Sequence, residues 1–425
     1  MSGRAELLEM ACARLALLGA LALAACQGGV GPARRPPGAP ARPAPSDEAP
    51  AMAAAGGEDA EEPGDDARFT WQDATRSPRT AAPTGPLAAL CPATDAALVE
   101  VARGLAERQA TLGAALDSAR VSFALRAAGS PYVWPRVWSI EGPGLATAEV
   151  QERARAWLES FREGGARRCG FARLTAADGR VVMTGVAVDA LADLDPLPTQ
   201  VRVGGWLTVR ARLLEPGDGA EVVVLGPTGR PHTVTSTLDG DQVRATFSAD
   251  RAGEWLVQVV VRGATGPRPV AEALIYAGEA PPQTFHARAA PGEAAGAGAA
   301  DLPTALAAMV DAARRSEGLA ALPRDPRLDR LAERHARAMR AARRLGHDLG
   351  DGDPAARAAA AGLALRLLGE NVAHARSVRR AHRALWASPS HRGNLLEPRF
   401  RALGVGVARD PDGSVWVCEL FAVPR

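Results

Sequence analysis

The apolar residues of this 425-residue chain fall into short segments, and no segment reaches the ~20 residues that a membrane-spanning helix requires. Domains that fold in water are therefore expected, and the length suits two or three of them. The 50 basic residues nearly balance the 48 acidic ones, which leaves a net charge of +2. Because no field of one sign covers the chain, nucleic acid is not expected as a partner.

The first apolar segment, residues 15–25, is eleven residues long and has the length of a signal-peptide core. It ends in Leu23-Ala24-Ala25-Cys26, which resembles the lipobox of bacterial lipoproteins. That resemblance implies that residues 1–25 are a lipoprotein signal peptide and that Cys26 is lipidated and anchors the mature chain to a membrane. Gln27 after the cysteine implies sorting to the outer membrane. An ordinary secretory signal that contains a cysteine is the alternative.

Residues 26–86 are dominated by Pro, Ala and Gly, with a patch of acidic side chains in their second half. Such a composition buries too little apolar area to offset the loss of chain entropy on folding. This segment is therefore predicted to be a disordered tether that holds the folded domains away from the membrane.

Residues 87–195 are predicted to form an N-terminal α+β segment whose role the sequence does not indicate. Four apolar residues spaced as on a helix face support this: Leu98, Val101, Ala102 and Leu105. A hairpin pattern follows, with its turn at Asp178-Gly179. Cys91 and Cys169 are the cysteines of this segment, and an exported chain can oxidise them to a disulfide. Two buried free thiols are the alternative.

Residues 196–280 alternate apolar and polar side chains in six or seven short runs separated by turn residues. That pattern, over about 80 residues, is typical of an immunoglobulin-like β-sandwich, and an all-β module of this kind is predicted here. A Gly-, Ala- and Pro-rich linker is predicted at 281–300.

Residues 301–425 concentrate the chemistry, since they hold five of the seven His and both Asn of the chain. They also contain 21 Arg against 14 Asp and Glu, a net charge of +7. A solvated basic face explains this excess, and an anionic lipid or cell-wall polymer is a second explanation. His335 lies on the apolar face of a predicted helix, where a hydrogen-bonded core histidine is more usual than a ligand.

Several short motifs of residues 301–425 resemble those of bacterial CAP (SCP-like) domains, in order and at suitable spacings over about 120 residues. They are Asp325-Pro326-Arg327-Leu328, Leu345-Gly346-His347, Gly369-Glu370-Asn371, Ser388-Pro389-Ser390-His391-Arg392 with Asn394, and Gly404-Val405-Gly406-Val407. The resemblance implies an α-β-α sandwich, so we expect a multidomain chain with this fold at its C-terminus.

The resemblance also implies a cleft that holds His347, Glu370 and His391. Two imidazoles and a carboxylate can bind a divalent metal such as zinc and leave a position open for water. Without metal, the same groups could act as a general acid–base set. The second Glu of the fuller family pattern has no counterpart here, which puts metal affinity in doubt, and Glu419 could be a substitute carboxylate. Cys418, on the same predicted strand, is expected to pack as a small apolar residue.

Three functions remain open. The first is a membrane-anchored exported lipoprotein whose cleft binds a lipid or another cell-envelope ligand, because CAP relatives are associated with lipid and sterol binding and catalysis is not a general property of the family. The second is a hydrolase of peptide or cell-wall substrates that uses the cleft residues. The third is a structural adhesin in which the β-sandwich binds and the cleft is vestigial.

The chain also contains an internal similarity. Cys169–Arg173 and the turn at Asp178-Gly179 parallel Gly404–Arg409 and the turn at Asp412-Gly413. A decayed second copy of the C-terminal domain is one interpretation. The other is that many hairpins look alike.

Overall fold

The computed structural model describes residues 68–83, 85–113, 118–161, 164–263, 266–286 and 288–425. The predicted signal peptide, Cys26 and the tether up to residue 67 lie outside these residues. None of the described helices is both long enough and apolar enough to cross a membrane.

The N-terminal domain packs helices against a three-stranded antiparallel sheet. The short strand β1 (Ala74–Thr75) precedes this domain. The elements of the domain are α1 (Ala96–Leu112), α2 (Ser118–Ala127), β2 (Arg136–Gly142), α3 (Thr147–Glu159), β3 (Ala166–Thr175) and β4 (Val181–Ala190). The strand order is β2-β4-β3. Helix α1 begins because Asp95 caps the amides of Ala97 and Leu98, and it ends at Gly113 in the left-handed conformation. Cys91 and Cys169 form a disulfide that joins the segment before α1 to β3.

The central module consists of two sheets packed face to face around one apolar core. Its strands are β5 (Ala192–Leu194), β6 (Leu197–Pro198), β7 (Gln200–Val201), β8 (Gly205–Leu213), β9 (Gly219–Leu225), β10 (His232–Val234), β11 (Ser236–Asp239), β12 (Gln242–Ala249), β13 (Gly253–Gly263) and β14 (Gly266–Ala277). The sheet orders are β10-β9-β13-β14-β7 and β11-β12-β8-β5, while β6 pairs with β1. Side chains along β12 alternate between buried and exposed, as in a sheet with one solvated face. Since β5 pairs with β8, the module begins before residue 196.

The predicted tether and linker are both ordered where they meet the domains, which corrects those two predictions. Phe69 donates its amide to Gln283 O at 2.7 Å, and the Trp71 indole donates to Pro282 O at 2.8 Å. Trp71 also lies edge-on to Tyr276, with ring centroids 5.2 Å apart. Aromatic contacts of this kind bury enough apolar area to order a short segment that is otherwise rich in small residues. Within the predicted linker, Glu293 pairs with Arg383 at 2.7 Å.

The C-terminal domain has one layer of strands between two layers of helices. Its elements are α4 (Leu302–Ser316), α5 (Pro326–Ala342), α6 (Pro354–Ala360), β15 (Leu365–Ala375), α7 (Val378–Ala387), α8 (Pro389–Leu395), β16 (Ala402–Arg409) and β17 (Val415–Pro424). The antiparallel sheet has the order β15-β17-β16. Helix α5 covers one face, and α4 and α7 cover the other. Asp301, Asp325 and Asp353 cap α4, α5 and α6 with their side chains, and a Pro follows in the first turn of each helix.

The N-terminal and C-terminal domains share one topology. In both sheets the last strand lies between the other two. Both α1 and α5 are 17 residues long, and each is capped by an Asp. The backbone amide of each capping Asp donates to a carbonyl oxygen of the next-to-last strand. Asp95 donates to Cys169 O of β3, and Asp325 donates to Leu403 O of β16.

Two glycines mark the same close approach in both copies. A Cβ at Gly170 would lie 2.1 Å from the Leu98 backbone, and one at Gly404 would lie 2.5 Å from the Leu328 backbone. Leu98 and Leu328 are each the third residue of their helix. The structure therefore favours the internal repeat over a chance likeness of hairpins.

Candidate functional site

Glu370 is the centre of the ionisable cluster in the C-terminal domain. It lies on the edge strand β15 opposite Leu420 of β17, and its side chain is 0% exposed. Its Oε1 accepts from His347 Nδ1 at 2.9 Å, and its Oε2 accepts from Arg357 Nη2 at 2.5 Å. His335 Nε2 lies 3.8 Å from Oε1. A buried carboxylate is stable only with such partners, because burial removes its hydration.

Arg357 ties the loop that carries His347 to Glu370. Besides its bond to the carboxylate, its guanidinium donates to the carbonyl oxygens of His347 at 2.5 Å and Gly352 at 2.6 Å. The side chain is 7% exposed, and it projects from the short helix α6 whose cap is Asp353. Arg357 is not among the site residues predicted from the sequence. The available signal was a single Arg in an Ala-rich segment directly before the strand of the Gly-Glu-Asn motif.

His347 is the accessible member of the cluster, since its side chain is 38% exposed. The contact to Glu370 places the Nδ1 proton on the side of the carboxylate. That assignment makes Nε2 the basic nitrogen of the ring. The structure thus places His347 and Glu370 in contact, and the buried carboxylate of Glu370 orients the imidazole through Nδ1.

His335 is buried, as its place on the apolar face of α5 indicated, but it also belongs to the cluster. Its Nε2 contacts Gly346 O at 2.9 Å, in the loop that leads to His347. Burial lowers the pKa of His335, and the nearby Glu370 carboxylate partly opposes that shift. A neutral imidazole under the loop follows, and it supports the loop without adding charge.

His391 does not join the carboxylate of Glu370. It belongs to α8, and its carbonyl oxygen accepts from Asn371 Nδ2 at 3.2 Å. Burial, with a smaller contribution from His347, lowers the pKa of His391 to about 4. Among the described residues, the Glu370 carboxylate makes polar contacts with His335, His347, Arg357 and Cys418, and His391 is not one of them.

The other face of the sheet carries a separate polar network. Glu419 lies opposite Asn371 and accepts from its Nδ2 at 3.0 Å, while Asn394 donates to Asn371 Oδ1 at 2.9 Å. Burial raises the pKa of Glu419 to about 7. Because adjacent strand residues face opposite ways, Glu419 points away from Glu370 and is not a substitute carboxylate for it.

Cys418 is on the same face as Glu370, with its Sγ 3.6 Å from Oε2. Burial raises the pKa of this thiol well above its usual value, and the neighbouring carboxylate adds to the shift. A protonated, buried thiol is a poor nucleophile, so Cys418 packs as a small apolar side chain.

The predicted three-residue zinc site is not assembled. Across the described part of the chain, no group of three or more His, Cys, Asp or Glu side chains is arranged to hold a metal ion. The oxygens of Glu370 are bonded to His347 and Arg357, and the guanidinium already compensates the charge of the carboxylate. The donor set therefore does not fit the tetrahedral site of zinc proteins.

Residues 307–420 match the sequence profile of the cysteine-rich secretory protein (CAP) family. A comparison with curated protein sequences gives no match. The C-terminal domain is thus a CAP domain, which confirms the resemblance found in its motifs.

Three solved structures are similar to parts of the chain. An outer surface protein from Borrelia burgdorferi is 22% identical over 28% of this chain and 90% of that one, with a TM-score of 0.27. An extracellular protein containing a SCP domain from Bacillus anthracis is 16% identical over 55% and 86%, with a TM-score of 0.26. A cysteine-rich secretory protein from Staphylococcus aureus is 11% identical over 55% and 83%, with a TM-score of 0.25. These likenesses are weak, and the assignment rests on the family match.

Proposed function

We propose that the CAP domain of residues 307–420 binds an anionic ligand of the cell envelope at the exposed imidazole of His347. The observation that carries the proposal is the 2.9 Å contact between His347 Nδ1 and Glu370 Oε1, with Glu370 fully buried and held by Arg357. A ring fixed in this way presents one nitrogen to the solvent in a constant orientation, which is what selective hydrogen bonding to a ligand requires.

Charge supports an anionic ligand. Residues 301–425 carry 21 Arg against 14 Asp and Glu, a net charge of +7. An excess of one sign raises the local concentration of ligands of the other sign and speeds their association. A lipid headgroup with a phosphate and an anionic cell-wall polymer share this chemistry.

The test is binding of the full chain in a Cys26→Ala background, so that no acyl anchor carries the protein to membranes. Vesicles of phosphatidylcholine with and without phosphatidylglycerol, and purified cell wall, serve as probes. His347→Gln should weaken binding at least tenfold. His374→Gln is the matched control, because its side chain is also 38% exposed in the same domain, and it should stay within about twofold. Equal binding by both variants would refute the proposal.

A hydrolase is the second candidate, and the same contact favours it. A histidine oriented by a buried carboxylate is the arrangement of a general base. Among the described residues, however, no hydroxyl or thiol is hydrogen-bonded to His347, so water would have to be the nucleophile. Turnover of peptidoglycan or a peptide library that is lost in His347→Gln and reduced in Glu370→Gln would replace ligand binding with catalysis.

We propose that the two-sheet module is immunoglobulin-like. Its sheets, β11-β12-β8-β5 and β10-β9-β13-β14-β7, correspond in order to the two sheets of that fold, and β7 pairs in parallel with β14. The adhesin hypothesis places ligand binding on this module. Binding that survives His347→Gln and is lost on substitutions confined to exposed residues of β8 to β12 would support the adhesin.

We also propose that Cys26 is the lipidated N-terminus of an exported lipoprotein, with outer-membrane sorting after Gln27. The motif Leu23-Ala24-Ala25-Cys26 supports this. Cys26→Ala should move the protein from the membrane fraction to the soluble extracytoplasmic fraction and remove the acyl chains from the mass of the mature chain. An unchanged membrane fraction would contradict the anchor.

A further inference from the structure

The N-terminal domain contains a cavity of about 520 Å³ between α2, β2 and the loop that joins them. Its walls are mostly apolar and aromatic, and one polar pair, completed by a residue of the neighbouring β-sandwich, lies against them. Its lining includes Val121, Leu125, Arg126, Trp134, Val137 and Glu272. Pockets of this size and lining are typical of sites for small molecules.

The cavity occupies the place that the Glu370 cluster holds in the C-terminal domain. Val137, on the edge strand β2, lies opposite Val186 of the central strand β4. In the same way Glu370, on the edge strand β15, lies opposite Leu420 of the central strand β17. Helix α2 covers this region as α6 does in the CAP domain, and it contributes Val121 and Leu125.

Two ionisable residues of the CAP cluster, Glu370 and His335, have apolar counterparts in this copy. Val137 stands in the position of Glu370, and Leu105, the tenth residue of α1, stands in the position of His335, the tenth residue of α5. The fold therefore keeps the location of the site while its chemistry changes from charged to apolar.

The polar pair in the cavity is electrically compensated. Arg126 Nη2 and Glu272 Oε2 are 2.6 Å apart, and Arg126 Nη1 also donates to the carbonyl oxygens of Ser130 and Tyr132. Glu272 accepts a second bond from Gln258. A charged ligand would gain no unpaired counter-ion here and would lose its own hydration. An uncharged ligand avoids that cost.

Trp134 is the exposed aromatic residue of the cavity lining. The residue is 60% exposed. Its backbone has φ +58, a left-handed conformation that costs a residue with a side chain about 1 kcal/mol or more. Such strain at a residue with an exposed indole indicates that the surrounding loop holds the ring in this place.

We propose that this cavity is a second ligand site, which takes an uncharged apolar small molecule and works independently of His347. Apolar walls supply the binding free energy through burial of the ligand, and the Trp134 ring adds aromatic contact at the mouth.

The test uses N-phenyl-1-naphthylamine, an uncharged apolar fluorophore, titrated into the full chain in the Cys26→Ala background. Trp134→Ala should weaken binding about five- to tenfold. Trp206→Ala is the matched control, because Trp206 is 74% exposed on the β-sandwich, and it should have no effect. His347→Gln should also leave the affinity unchanged, which separates this site from the CAP cluster.

Val137→Glu restores the carboxylate of the CAP copy and should abolish binding of the probe, while near-ultraviolet circular dichroism reports whether the domain stays folded. If that variant unfolds, Trp134→Ala decides the question, since an exposed ring is not needed for folding. Equal affinities of Trp134→Ala and Trp206→Ala, or loss of binding in His347→Gln, would overturn the proposal.

Discussion

Replacement of Arg357 by Met should strongly destabilise the CAP domain. The substitution keeps an unbranched side chain but removes the guanidinium that pairs with Glu370, whose side chain is 0% exposed. Removing one partner of a buried ion pair typically costs about 3–5 kcal/mol, because the other charge stays buried without compensation. Two hydrogen bonds to the loop carbonyls of His347 and Gly352 are lost as well, so we expect the upper part of that range.

Arg337 provides the matched control. It pairs with Glu333 at 2.6 Å, nearly the 2.5 Å of the Arg357–Glu370 pair, but the two side chains are 69% and 47% exposed. Exposed pairs one helical turn apart contribute about 0.3–0.5 kcal/mol. Arg337→Met should therefore change the free energy of unfolding by no more than that, although the bond length is almost the same.

Urea unfolding combined with hydrogen exchange of peptides from β15 and β17 reports on the CAP domain separately from the rest of the chain. In Arg357→Met, exchange of these strands should accelerate by about three orders of magnitude, as a loss of about 4 kcal/mol requires. The double variant with Glu370→Gln should recover part of the loss. If Arg357→Met costs less than about 1 kcal/mol, Glu370 is not the buried, charge-compensated centre that the site requires.

Three further predictions concern stability. The Cys91–Cys169 disulfide joins cysteines 78 residues apart, so its reduction should destabilise the N-terminal domain by up to about 4.5 kcal/mol. Denaturant titrations with and without reductant measure this loss. Hydrogen exchange of β15 peptides should stay unchanged. Burial raises the pKa of Glu419 from 4.5 to about 7, so the carboxylate takes up a proton on folding between these pH values. Its contribution to stability is fully present below pH 4.5 and falls by about 1.4 kcal/mol per pH unit up to pH 7. Glu419→Gln should remove this slope from the pH dependence of urea unfolding. Gly170→Ala should lower the free energy of unfolding by about 2 kcal/mol or more, because the new Cβ would clash with α1. Gly104→Ala, with open space around it on α1, should raise that free energy by about 1 kcal/mol. Equal melting temperatures of the two variants would contradict the packing of β3 on α1.

The CAP domain could be identified from sequence because its motifs are bound to backbone geometry. Gly404 must be glycine where β16 meets α5, and Asn371 and Asn394 bond to each other and to the main chain of neighbouring segments. Such requirements fix a residue type at one position in the chain. They are visible without knowledge of the three-dimensional neighbours, and the family resemblance that rests on them was confirmed by the match over residues 307–420.

The partners of Glu370 could not be found in the same way. His335 has the spacing of an apolar helix face, and Arg357 follows two alanines in a helix rich in Ala. Each becomes part of the site only because α5, α6 and β15 meet at one point. His391 shows the opposite case, since its motif is clear but its ring makes no polar contact with the carboxylate.

The N-terminal ordered segment was missed for a compositional reason. Pro and Ala dominate residues 26–86 as a whole, and an average over that length hides Phe69 and Trp71. These two rings lie against Phe123, at 5.0 and 5.4 Å between centroids. A pair of aromatic residues in a chain that is only 4% aromatic was the available signal of packing.

The two copies of the α/β fold separate what the backbone requires from what the site requires. Both keep the capping Asp, the glycine under the helix and the strand order, so these features serve folding. Only the CAP copy keeps ionisable residues at the positions of His335 and Glu370, so the shared fold does not require them. If folding needed the charged cluster, Leu105 and Val137 could not occupy the same positions. It follows that a CAP domain with Glu370, Arg357 and His335 replaced together by apolar residues of similar size should fold and lose only its His347-dependent binding. Single replacements should destabilise it, because each leaves a buried partner uncompensated.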